Sequence, residues 1–227
     1  MSDQKTALVV GASRGLGLGL TKALLAAGWN VIATVRPGSS LKETVESGGK
    51  LSVEHLDVND PATISSLKQR IGTGKLDLLF VNAGVSLPDG DQIATISDSD
   101  FDYVMRSNVL GPMRVVHQLL AAVKSDAAVG VMSSDWASSD VAPNDWDAYT
   151  ASKVALNYLM RSVAANNADT AVTFMCLVPG WVKTDMGGSD ASLDVKTAAG
   201  GLVKTIEARR GTGGILFVDY KNDELRW

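Results

Sequence analysis

A strand-like run, Thr6-Ala7-Leu8-Val9-Val10, passes directly into Gly11-Ala12-Ser13-Arg14-Gly15-Leu16-Gly17, and a helical pattern from Leu18 to Ala27 follows, ending at Gly28. Strand, glycine-rich turn and helix in that order restrict the fold more than any other stretch of the chain. Glycines let the backbone bend sharply and approach a pyrophosphate closely, and a helix N-terminus offers free N–H groups to an anion. The arrangement predicts a dinucleotide-binding turn. The spacing is G-x-x-x-G-x-G rather than G-x-G-x-x-G, and a glycine-rich turn with no ligand is the competing reading.

The rest of the chain repeats the alternation. Strands are expected at 30–35, 51–56, 76–81, 127–132, 170–178 and 214–218, and helices at about 41–46, from Asp60-Pro61 to Gly72, 98–123, 147–166 and 193–209. Asp60 with Pro61 reads as an N-cap followed by N1. Gly111-Pro112 predicts a kink in the long helix. A short flexible stretch is expected from Gly187-Gly188. The strands are Val/Ile/Leu-rich without polar alternation, as expected when both faces are covered. The fold class is therefore α/β, a single-domain Rossmann fold over residues 1–227. It is a doubly wound seven-stranded parallel sheet with helices on both faces.

In such a sheet ligands lie beyond the carboxyl ends of the strands. Gly11 to Gly17, Arg36, Asp57, Asn82-Ala83-Gly84, Ser133-Ser134 and Pro179-Gly180 all fall there. Arg36 ends the second strand with no acidic neighbour, which favours the 2′-phosphate of NADP over the free ribose hydroxyl of NAD. Arg14 at a helix N-terminus, where the macrodipole disfavours a cation, supports the same choice, because a bound phosphate would offset it. Two solvated arginines are the alternative.

Tyr149 and Lys153 are four apart on an expected helix, so their side chains converge. A fixed cation favours phenolate and lowers the tyrosine pKa toward a working acid-base range. Many surface helices carry such a pair, and the other groups on the same sheet edge give it meaning.

Composition narrows the classes. A formal charge of -4 leaves no basic footprint for nucleic acid, and no apolar run is long enough to span a bilayer. Cys176, the one cysteine, lies in an apolar run and reads as packing, while His55 and His117 have no companions at zinc-ligand spacing. The expected location is cytoplasmic.

Gly11-x-x-x-Gly15-x-Gly17, Asp57, Asn82-Ala83-Gly84, Asn108, Ser133-Ser134, Tyr149-x-x-x-Lys153 and Pro179-Gly180-Trp181-Val182-Lys183-Thr184 occur in the order and spacing of a known family. Over essentially its whole length the chain resembles the short-chain dehydrogenases/reductases. Its ending, Phe217-Val218-Asp219-Tyr220 through Trp227, resembles the subgroup of C-factor-like and sniffer-like carbonyl reductases. The resemblance implies NADP(H), preferred over NAD(H), and a small carbonyl or alcohol substrate. It implies Tyr149 as the acid-base residue and Lys153 as its tuner and ribose ligand. Ser134, with Ser133 as the neighbouring candidate, would meet the substrate carbonyl, and Asn108 would help hold a water that links Lys153 to solvent. Ser13, Leu16, Val58, Ala83, Pro179, Gly180, Val182 and Thr184 join the cofactor contacts. A homodimer or homotetramer through the helices at 98–123 and 147–166 is also implied, although packing on the sheet explains the same apolar residues.

The chain departs from the family pattern in places. Val10 stands where the family often has Thr. Ser134 lies 15 residues before Tyr149, about two more than the common spacing. The substrate lobe around 185–197 is short. Trp136, Trp146, Trp181 and Met186 would suit a flat apolar substrate, or pack loops onto the core. A non-catalytic NADP-binding regulator and a nucleotide-sugar epimerase or dehydratase are the other functional readings. The first has no need of the four catalytic-type residues, and the second has a sizeable C-terminal domain.

Overall fold

The computed structural model describes residues 4–42, 50–87, 90–142 and 145–227. Seven parallel strands form one sheet in the order β3-β2-β1-β4-β5-β6-β7. They are β1 (Thr6–Val10), β2 (Asn30–Val35), β3 (Leu51–His55), β4 (Leu76–Val81), β5 (Val123–Met132), β6 (Thr173–Val178) and β7 (Ile215–Asp219). The helices are α1 (Gly15–Ala26), α2 (Pro61–Ile71), α3 (Asp98–Met105), α4 (Gly111–Leu119), α5 (Asp147–Ala165) and α6 (Val195–Arg209). The helix expected at 41–46 lies mostly outside the described residues.

Successive strand residues point to opposite faces, so each central strand feeds two cores. Leu8 and Val10 of β1 join Ile64, Leu67, Val115, Val116, Leu119, Leu156 and Met160 from α2, α4 and α5. Ala7 and Val9 join Leu20, Leu24, Leu25, Leu202, Val203 and Ile206 from α1 and α6. Each large side chain buried this way contributes about 1.5–3 kcal/mol. The caps fix where helices start. Asp60 accepts Ala62 N–H at 2.9 Å ahead of Pro61, as expected, and Ser97 and Asp194 cap α3 and α6.

The long helix expected over 98–123 is interrupted earlier than its Gly-Pro pair. Arg106–Leu110 forms a π turn, in which the Gly111 N–H reaches back to the Arg106 carbonyl. Pro112 brings no N–H for the Asn108 carbonyl four residues before it, so the regular ladder cannot run through this point. Gly111 also lets the turn lie against the strand ends, since a Cβ there would sit 2.9 Å from Val58. β5 begins at Val123, four residues before the expected 127, with a register irregularity opposite Leu76 and Leu78.

At the amino-terminal end of the sheet Asp77, nearly buried, binds Lys124 at 2.9 Å, Arg210 at 3.3 Å and the Thr6 N–H at 2.9 Å. The functional groups lie at the other end.

Candidate active site

The glycine turn and the chain after β4 are built against each other. Gly11 has φ +85°, a conformation that favours glycine, and a Cβ there would lie 2.9 Å from the Ala83 backbone. A Cβ on Gly17 would overlap the Gly11 carbonyl and come 2.6 Å from Asn82 Nδ2. Asn82 Nδ2 donates to that carbonyl at 2.9 Å, and Gly11 N–H donates to Thr34 Oγ1 at 3.2 Å. The helix α1 starts at Gly15, three residues before the expected Leu18, with no acidic side chain in its first turn and no side-chain cap from Arg14. Gly11, Gly15 and Gly17 leave the backbone ahead of its leading N–H groups without side chains at three positions, which fits a phosphate group.

The surrounding charges are placed as follows. Arg14 pairs with Asp185 at 2.6 Å, so a carboxylate from the chain after β6 offsets the cation at the helix N-terminus. Lys42 reaches the same carboxylate at 3.6 Å, and its N–H donates to the Ser13 carbonyl. Arg36 is exposed at the end of β2. Asp57 is half-buried and its carboxylate accepts the Asn59 N–H at 2.8 Å, while Val58 is buried beside Gly111.

Across the sheet edge, α5 brings Tyr149 and Lys153 together, with Lys153 Nζ 5.3 Å from the Tyr149 ring centroid. Lys153 is 3% exposed and donates to the Met132 carbonyl at 2.9 Å. Asn108 is fully buried in the π turn. It accepts the Val85 N–H at 2.7 Å and donates to the Val85 carbonyl at 2.8 Å and to Ser152 Oγ at 3.0 Å. Ser152 Oγ in turn donates to the Tyr149 carbonyl at 2.6 Å. A Cβ on Gly84 would lie 3.3 Å from Asn108 and 3.4 Å from Lys153 Nζ, so the glycine turn region and this cluster adjoin.

The two serines separate. Ser133 is buried and donates to Asn157 Oδ1 at 2.7 Å. Ser134 is half-open, accepts the Trp136 N–H at 3.2 Å and hydrogen-bonds Tyr149. Trp136 meets the Tyr149 ring edge-on with centroids 5.9 Å apart, and Trp146 lies 6.2 Å from Trp136. Trp181 and Met186 are exposed.

The electrostatics correct one expectation. Lys153 does not bring the Tyr149 phenol down. Burial pushes Tyr149 up to about 12, helped by the charges of Asp135 and Asp91, and the hydrogen bond with Ser134 pulls the other way. Burial likewise pushes Lys153 down to about 8. Both groups sit where charge is poorly solvated, so both shift toward their neutral forms. Burial raises the Cys176 thiol as well, consistent with a packing role.

Asp91 escaped sequence reasoning. It is 2% exposed and accepts the Tyr149 N–H at 2.8 Å and the Ala148 N–H at 3.2 Å, holding the first turn of α5 from 58 residues away in the chain. Burial raises its pKa, against the lowering effect of those two bonds. Lys42 was missed too, because it follows the strand end and belongs to no motif. The chain after β6 is tighter than expected. Gly180, at φ +75°, closes against Leu193, and buried Val182 bridges to Leu193. Thr184 Oγ1 accepts the Gly187 N–H at 3.1 Å and Trp181 Nε1 donates to the Gly187 carbonyl at 2.8 Å, so the stretch from Gly187 is a pinned turn. A Cβ on Gly15 would lie 3.5 Å from Thr184, placing Thr184 beside the glycine turn.

Residues 5–193 match the family model described as short chain dehydrogenase. Among solved structures, one described as a short-chain dehydrogenase/reductase from Burkholderia multivorans with bound NADP is 38% identical. It covers 99% of this chain and 100% of its own, with a TM-score of 0.92. The carbonyl reductase Sniffer of D. melanogaster is 28% identical over 99% of this chain and 100% of its own, at a TM-score of 0.83. The C-signal protein of Myxococcus xanthus is 32% identical over 161 residues, 68% of this chain and 95% of that protein. The last two bear out the subgroup to which the chain's ending pointed. Among the described residues no helix is long and apolar enough to cross a membrane.

Proposed function

The chain belongs to the short-chain dehydrogenase family, and from that premise we propose that it is an NADPH-dependent reductase of aldehydes or ketones, reversible to alcohol oxidation. One observation carries the reading. A glycine turn opening a helix and a Ser134-Tyr149-Lys153-Asn108 cluster adjoin at the carboxyl edge of one sheet. The B. multivorans relative with bound NADP supports the cofactor, and Sniffer supports the carbonyl substrate.

Gly11, Ser13, Arg14, Gly15, Leu16 and Gly17 hold the pyrophosphate. Arg36 reads the 2′-phosphate, with Lys42 adding charge on that side. Asp57 and Val58 meet the adenine, Asn82, Ala83 and Gly84 the adenosine side, and Pro179, Gly180, Val182 and Thr184 the nicotinamide side. When bound, NADPH supplies the hydride that adds to the carbonyl carbon and leaves as NADP⁺. Ser134 Oγ and the Tyr149 hydroxyl hold the carbonyl oxygen, and the Tyr149 proton passes to it as negative charge develops there. Lys153 lies beside the phenolate left behind, its Nζ 5.3 Å from the ring centroid. With a pKa of about 8 it can also give up a proton near neutral pH, so it suits a relay that restores the Tyr149 proton through water held by Asn108. The segment 185–197 covers the substrate as a short lobe.

Self-association belongs to the same reading. Tyr103 and Leu110, and Val154 and Tyr158 on α5, are exposed apolar side chains at helical spacing on elements that pack side by side. The similarity to C-signal favours a second reading, an NADP-binding signalling protein without turnover.

Titration with NADPH and NADH, followed by tryptophan fluorescence, tests the cofactor. Tight NADPH and weak NADH binding is expected, and binding of neither removes the proposal. Tyr149→Phe separates enzyme from signalling protein. It should abolish NADPH-dependent aldehyde reduction with cofactor affinity nearly unchanged, and substantial residual activity would remove Tyr149 from its role.

A further inference from the structure

The turn after β5 brings a carboxylate against the groups assigned to the substrate oxygen. Asp135 directly follows Ser134 and opens the short 3-10 turn Asp135–Ala137. Its Oδ1 accepts the Ser134 hydroxyl at 3.2 Å and the Trp136 N–H at 3.1 Å, which fixes its direction. Its charge reaches Tyr149, where it opposes phenolate.

Among the described residues no cation pairs with Asp135. Two other acidic side chains near the site are paired with arginines, and two are held by backbone N–H groups. Asp140 pairs with Arg226 at 3.0 Å and Asp185 with Arg14 at 2.6 Å. Asp91 accepts two backbone N–H groups and Asp147 accepts the Ile93 N–H at 2.9 Å. Lys153, the ammonium beside Tyr149, is buried and turned to the Met132 carbonyl. A substrate that gives its carbonyl oxygen to Ser134 and Tyr149 therefore meets, beside the point of attachment, a carboxylate that no cation among the described residues neutralises. A second anionic group on that substrate is repelled, and a neutral or cationic one is not.

We propose that Asp135 is a specificity-determining residue, one that makes the site accept neutral and cationic carbonyl compounds and turn away those carrying a carboxylate or phosphate. The inference rests on the reductase reading above, and it adds the charge class of the substrate. It also gives Ser134 a resting partner that the incoming carbonyl must displace.

The test compares 4-carboxybenzaldehyde with its methyl ester, two aldehydes that differ chiefly in charge, with NADPH as reductant. Asp135→Asn should raise the acid-to-ester ratio of kcat/KM about five-fold at low ionic strength. That is the effect of two unit charges about 8 Å apart at an effective dielectric constant near 40. Asp135→Glu should keep the wild-type ratio within about two-fold. For the wild type alone, the ratio should rise toward that of Asp135→Asn as salt is raised to about 0.5 M, because an exposed charge is screened. The salt series needs no variant, so it decides the matter even if a variant does not fold. An unchanged ratio in Asp135→Asn, or a flat salt series, overturns the inference while ester turnover keeps the reductase reading intact. No reduction of either aldehyde by wild type overturns the reductase reading for this class and the inference with it.

Discussion

Lys153→Met pits stability against activity in one side chain. The lysine is buried, and its ammonium is displaced from 10.5 to about 8, chiefly by loss of solvation. At about 1.4 kcal/mol per pH unit that displacement weighs against the charged form by about 3 kcal/mol. Methionine is unbranched and similar in length, so it fills much the same space. It forfeits the 2.9 Å bond from Nζ to the Met132 carbonyl, which costs about 1 kcal/mol. The variant should therefore be about 2 kcal/mol more stable than wild type at pH 7. For a chain of this size that raises Tm by about 6 °C. The pH dependence carries the sign. A depressed lysine pKa contributes stability that is present above the unfolded value near 10.5 and is lost as pH falls through about 8. The advantage of methionine is therefore full below pH 8 and shrinks between pH 8 and 10.5. Above that it reverses to a deficit of about 1 kcal/mol. Urea unfolding of both proteins at pH 7 and pH 10.5, read by tryptophan fluorescence, measures it, and turnover should be lost at both. A variant less stable than wild type at pH 7, or a difference equal at the two pH values, would refute the reasoning.

Three further outcomes are expected. Ser134→Ala should lower kcat by about 10²–10³, whereas Ser133→Ala should leave kcat within about two-fold and cost about 1–2 kcal/mol in unfolding experiments, because Asn157 Oδ1 loses its buried donor. Equal kcat losses would mean that the hydrogen bonds do not separate their roles. Arg36→Asp should weaken NADPH by more than about ten-fold and NADH far less, since only one of the two carries a 2′-phosphate, and calorimetric titration reads both. Asp91→Ala should cost about 2 kcal/mol by stranding the Ala148 and Tyr149 N–H groups. Because burial raises the Asp91 pKa, its contribution is full below the unfolded carboxylate value and declines as pH rises through the raised folded value, so the deficit of the variant should widen as pH falls toward about 4 and stay constant below it.

What the sequence discloses here is what depends on near neighbours. The Gly11-to-Gly17 turn after a buried strand, and Tyr149 and Lys153 one helical turn apart, are fixed by spacing alone. Parallel strands then carry the scattered strand ends to one edge. Ser133 and Ser134 were not separable in this way, because adjacent extended residues point to opposite sides. Asn157, 24 positions on, settles which of them is buried. The hold of Asp91 on Tyr149 spans 58 positions and follows no motif. The direction of the Tyr149 and Lys153 shifts depends on how deeply the pair is buried, and a spacing rule does not contain burial. The π turn was half legible, since Pro112 signals a break but not that the surplus residue lies on its amino-terminal side.

That surplus residue makes α3 and α4 one helix run out of phase. A five-residue π turn holds one residue more than the α-turn it replaces, so α3 is rotated by about 100° relative to an uninterrupted continuation of α4. Deleting any one residue of Arg106–Leu110 would bring the two into phase. Asn108 would swing off Val85 and Ser152, and the α3 face that packs on α5 would turn outward with it. This stretch should therefore tolerate many replacements on its outer side and reject almost any change in length. In a deletion scan it should stand out as a short interval of intolerance far from any loop that length variation usually spares.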